Sequence, residues 1–219
     1  MGEDDLAYRV QDVACKSLTI SADQDKRLSA GGEFVASRIG GSLSGASWPE
    51  NSPLRYLYSY AGTFSVAGDT DFRSRLRSFT LNLESGINED MAWRRAASES
   101  DRIYPSWWPY SPERNLKLSL SLLAESGDLA YFRAAQQEAT EMAVVISCLG
   151  EIISGTSPAE NDRLEISIPK AVFTSMNYDY DGGLMKIDLE AEGNYDSAIG
   201  GPLSVTTVEG NVQEFLTSD

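Results

Sequence analysis

Along much of the chain apolar and polar residues alternate with the period of two that a half-buried β-strand requires. In Leu116–Leu122 (LKLSLSL) every second residue is leucine, with Lys117, Ser119 and Ser121 between. In Arg75–Glu84, Phe79, Leu81 and Leu83 share one face and Ser78, Thr80 and Asn82 the other. Residues 13–21 set Ala14, Lys16, Leu18 and Ile20 against Cys15, Ser17, Thr19 and Ser21. Arg163–Phe173 sets Leu164, Ile166 and Ile168 against Glu165 and Ser167, and Leu184–Glu192 sets Met185, Ile187, Leu189 and Ala191 against Lys186, Asp188, Glu190 and Glu192. Leu54–Val66, residues 141–153 and Pro202–Val208 are rich in β-formers and also predict strands.

The period changes once. Over residues 128–140, Leu129, Phe132 and Ala135 recur at helical spacing, and Asp128 follows Gly127 where a capping residue belongs. One helix is expected there. Two stretches lack a period. Residues 22–53 carry Gly31-Gly32, Gly40-Gly41, Gly45, Pro49 and Pro53, and residues 85–114 carry Pro105, Pro109 and Pro112 among Trp93, Tyr104, Trp107, Trp108 and Tyr110. The first is read as a long loop or arm, anchored by Phe34, Ile39 and Trp48, that docks on a neighbouring copy. Residues 1–12, acidic and polar, are read as an N-terminal arm. About eight strands, one helix and no linker or repeat predict a single mainly-β domain over 1–219: an antiparallel β-sandwich or barrel with one α-helix and long loop arms.

Composition changes the picture mainly through charge. Lys and Arg total 18 against 33 Asp and Glu, a formal net charge of -15. Such a chain repels nucleic acid unless its basic residues cluster. There is no histidine. That removes the usual general base and the Ser-His-Asp and Cys-His nucleophile systems, so no enzyme and no cofactor are expected. Carboxylate-pair chemistry stays possible, but the acids outnumber any basis for choosing two. The glycine pairs do not match a phosphate-binding loop. Asp179-Tyr180-Asp181-Gly182-Gly183 is a fragment of a calcium-loop pattern without its closing acid, and it suits a hairpin turn better, so no metal site is expected. Cys15 and Cys148 are expected as free thiols. The N-terminal residues do not read as a signal peptide, and no run reaches the length of a membrane span.

The most specific pattern is the order of elements in the last third. Leu164–Gly183 (LEISIPKAVFTSMNYDYDGG) leads into LMKIDLEAEGNYDSAIGGPLSVTTVEGN. This resembles the closing part of tail tube proteins of long-tailed, siphophage-type bacteriophages. The matching positions are Ile168-Pro169, Phe173, Ala191, Tyr195-Asp196 and Pro202-Leu203-Val205-Thr206-Thr207-Asn211. Residues 75–96 and 116–135 also resemble the family's central strands and its strand-then-helix unit. Glu190 and Glu192-Gly193 depart from the pattern. The resemblance implies a structural virion protein assembled in the host cytoplasm into the virion tail. Its rings would be hexameric and stacked, with DNA passing transiently and other tail proteins as partners. Lys186, Asp188, Glu190 and Glu192 are then candidates for the lumen wall. Competing readings are a tail terminator, a capsid decoration protein, or a carbohydrate-binding β-sandwich that stacks sugars on Trp107 and Trp108.

Overall fold

The computed structural model describes residues 7–11, 13–24, 26–36, 38–43, 56–58, 62–69, 71–88, 115–125, 127–153, 159–181 and 183–208. The strands are β1 (Ala7–Gln11), β2 (Ala14–Asp23), β3 (Ser29–Val35), β4 (Arg38–Leu43), β5 (Phe64–Val66), β6 (Leu76–Glu84), β7 (Asn115–Leu123), β8 (Met142–Ile152), β9 (Asn161–Asp181), β10 (Leu184–Gly193) and β11 (Ser204–Val208). A 3-10 turn at Asp71–Arg75 precedes β6, and one helix, α1 (Asp128–Gln137), follows β7. The fold is mainly β with a curled antiparallel sheet of the barrel or sandwich class and a single helix among the described residues, as the alternation predicts.

β1 and β4 form a two-stranded antiparallel ribbon. The remaining strands form one sheet in the order β3-β2-β6-β7-β10-β9-β8-β5, with β11 pairing β9. The chain divides into two compact units, residues 1–19, 31–54 and 82–115 in one and 20–30, 55–81 and 116–219 in the other. β2, β3 and β6 each begin in one unit and end in the other, which explains why no linker is visible in the sequence. The stretch 22–53 is not loop throughout, since it holds β3 and β4, and β1 lies within residues 1–12. All three added strands are short or glycine-containing, so their period is weak.

The core of the second unit is the apolar face of β5 to β10 closed by α1. Leu116, Leu118, Leu120 and Leu122 of β7 are buried with Ile187, Leu189 and Ala191 of β10, Phe173 of β9 and Val144, Ile146 and Cys148 of β8. Phe132 of the helix is fully buried. Its ring meets Phe173 edge-on at 5.3 Å and Phe72 at 5.5 Å, and Phe72 reaches Phe64 at 6.5 Å. These separations are those of favourable aromatic pairs. Ser147, buried on β8, is satisfied by the Thr63 N–H and pairs with the Thr63 hydroxyl, both at 2.9 Å. That close approach needs Gly62, because a Cβ there would lie 1.6 Å from the Ser147 carbonyl oxygen.

β9 runs through 21 residues because two irregularities reset its alternation. Between Ile168 and Ala171 it holds one more residue than β8, and it places Pro169 there. Proline has no N–H to give a ladder, so a bulge is where a sheet tolerates it. The buried set therefore switches from Ile166 and Ile168 to Ala171 and Phe173. A second irregularity at Thr174 shifts the pairing with β10. The freed Thr174 carbonyl accepts a hydrogen bond from Gln136 of the helix at 3.0 Å.

The helix begins at Asp128 as expected and ends at Gln137, but its cap is not the expected residue. Gly127, at φ 102, is the N-cap and Asp128 is the first helical residue. The Asp128 carboxylate accepts from the Glu125 N–H at 2.7 Å and pairs with the buried Arg75 guanidinium. Arg75 also stacks on the Phe72 ring at 4.6 Å and lies 3.7 Å from Glu125. The side chain that sequence alone assigns to a cap thus serves a long-range ion pair.

Candidate functional site

The outward face of β10 carries the four residues singled out from the sequence. Ile187, Leu189 and Ala191 point into the core, so Lys186, Asp188, Glu190 and Glu192 lie on the opposite face. The antiparallel register sets their neighbours. Asp188 is opposite Ser121 and Glu190 opposite Ser119 on β7, with Glu192 opposite Lys117. On β9, Lys186 is opposite Asp179, Asp188 opposite Asn177 and Glu190 opposite Ser175. The result is a polar strip three strands wide, built from serine, asparagine and charged residues.

The strip is acidic, but less so than the sequence of β10 suggests. Lys117 and Lys186 stand among Asp179, Asp188, Glu190 and Glu192. Lys186 Nζ is 3.1 Å from Asp188 on its own strand. Glu190 and Glu192 are exposed, so their charge reaches solvent in full.

Of the residues assigned to an inter-subunit arm, Phe34 lies on β3 with its side chain 59% exposed. Ile39 lies on β4, where its backbone pairs with Val10. Trp48 lies outside the described residues, as do the sugar-stacking candidates Trp107 and Trp108. The Asp179–Gly183 segment forms the hairpin between β9 and β10: Asp181 pairs with Leu184, and Gly183 adopts φ 87. That hairpin carries exposed Tyr178, Tyr180 and Leu184. Tyr178 and Tyr180, opposite Ile187 and Met185, share the face of the core residues, whereas Leu184 alternates onto the face of Lys186.

A second feature of the polar face escaped sequence reading. A cleft of about 430 Å³ opens where the end of β2 and the turn after it approach β6, β7 and the start of β10. Lys26, Arg77 and Lys186 line it with Asp23, Ser78 and Ser121. Lys26 Nζ is 2.6 Å from Asp23, and this hydrogen bond raises the lysine's pKa, with the charge of Asp23 adding to it. Arg77 donates to the Gln24 amide oxygen at 2.6 Å. These residues come from separate elements, so no local spacing announces them.

Both cysteines are free thiols, Cys15 half-buried and Cys148 buried. Burial pushes the Cys148 thiol up to about 12. Tyr131 is raised as well, first by desolvation and then by Asp69. Among the described residues no cluster of three or more His, Cys, Asp or Glu could hold a metal ion, and no helix is long and apolar enough to cross a membrane. No model of a known protein family matches the chain, and no curated protein does.

Proposed function

We propose that this protein is a structural virion component, the major tail tube subunit of a long-tailed bacteriophage, which assembles into stacked rings. The reading rests on the order of elements in the last third, and the observation that supports it most directly is the two-faced sheet. One face packs against α1 around a buried aromatic core, and the other is a polar, net-acidic strip along β7, β10 and β9. A wall of that kind suits a conduit for DNA. The carboxylates of the strip outnumber its two lysines, so the strip as a whole disfavours a phosphate backbone. At physiological salt the repulsion reaches about 8 Å, enough to act on a duplex close to the wall. Among the described residues the sheet order ends in β3 and β5, edges that pairing between subunits would close.

Negative-stain electron microscopy over a concentration series tests the proposal. Hollow tubes are the expected result. Rings that never stack would favour a tail terminator instead. Uniform small particles at every concentration would overturn the assembly reading.

A further inference from the structure

We infer that the cleft beside β2, β6, β7 and β10 is a binding site for a small tetrahedral oxyanion of the phosphate class, held by Arg77, Lys26 and Lys186 with the Ser121 hydroxyl. The inference does not depend on the tube reading.

Three observations converge. First, the chain carries a net charge of -15, yet this cleft gathers Lys26, Arg77 and Lys186 around one lining carboxylate, Asp23. Asp23 and Asp188 offset Lys26 and Lys186, and Arg77, held only by a neutral amide, leaves the surplus positive charge that attracts an anion. Second, the Ser121 hydroxyl is shielded from solvent and has no hydrogen-bond partner. Its residue is only 7% exposed and lines the cleft. A buried hydroxyl without a partner is unfavourable, and an anion oxygen would accept its proton. Third, the existing partners of the cations leave donors to spare. Arg77 uses one nitrogen on the neutral amide of Gln24. Lys26 and Lys186 are held by Asp23 and Asp188, and an ammonium carries three donors. A guanidinium fork beside two ammonium groups and a hydroxyl matches the acceptor-only, multidentate surface of a phosphate.

Size and charge choose between a free anion and a nucleic acid. A volume of about 430 Å³ accommodates a small molecule. A duplex would bring many phosphates within a Debye length of the acidic strip, whereas a single dianion meets mainly the local cations. The occupant is therefore a free phosphate or a small phosphate monoester.

The test is isothermal titration of the full chain with inorganic phosphate, against chloride at matched ionic strength. Saturable binding of about one phosphate per chain is expected, with a parallel rise in melting temperature. Arg77→Gln should weaken it at least about tenfold, the effect of losing one good charge-assisted contact. Arg77→Lys should recover part of that loss, and Ser121→Ala should weaken binding about threefold or more. Each variant's melting temperature in chloride alone reports whether its fold is intact. No saturable binding to the wild-type chain, or binding indifferent to Arg77 and Ser121 in folded variants, would overturn the assignment. So would Arg77-dependent binding of a duplex oligonucleotide without any binding of inorganic phosphate.

Discussion

Phe132 has no exposed surface and joins Phe72, Tyr131 and Phe173 in one aromatic cluster. Phe132→Ala should lower unfolding free energy by about 3–5 kcal/mol in chemical denaturation, because the cavity lies where helix and sheet meet and neither collapses readily. Cys148 offers a second residue-scale outcome. A thiol-specific reagent at pH 8 should modify Cys15 while leaving Cys148 untouched until the chain is unfolded. The same burial has a pH consequence. The folded-state pKa of Cys148 lies near 12, above its ordinary value of 9.0, so its contribution to stability is full below pH 9 and lost as pH rises through 12. Stability should therefore fall between pH 9 and 12, and fall less steeply in Cys148→Ala, as followed by urea midpoints across that range.

At the scale of elements, the Arg75–Asp128 pair ties the start of α1 to the turn before β6. Asp128→Ala removes the nearest partner of a guanidinium that is only 10% exposed. The loss should stay below the roughly 3–5 kcal/mol of a wholly broken buried pair, because Glu125 remains 3.7 Å away. Comparing urea midpoints of the wild type and the variant checks this. Strands whose alternation is uninterrupted, β7 and β10 above all, were legible from the sequence to within a residue or two. β9 was legible only as far as Phe173, because Pro169 and Thr174 each shift its register and break the period that sequence reading follows. β3 and β4 were hidden for the opposite reason: glycine pairs signal a turn, although here they lie within strands.

For the whole molecule the decisive quantity is the distribution of charge. If the strip along β10 repels DNA, the double variant Glu190→Lys, Glu192→Lys should raise affinity for duplex DNA at low salt, with an affinity that falls steeply as salt increases. Filter binding at a series of salt concentrations measures this, and an unchanged affinity would remove the role assigned to the strip. The cation-lined cleft on the same face shows that the acidic character is not uniform. Net charge is a property of the composition, but a local surplus of cations arises only when the fold gathers residues distant in sequence.

By itself the sequence determined the β class, the position of the helix and the two faces of β7 and β10, because each follows from a local period that burial imposes on neighbouring residues. It also determined that histidine chemistry is absent. Tertiary structure alone decided the strand order, the division into two units and the partner of Asp128. It also assembled Lys26, Arg77, Ser121 and Lys186 around one cleft. All of these depend on pairings between segments far apart in the chain, and no local pattern encodes which distant strand will supply a residue's neighbour.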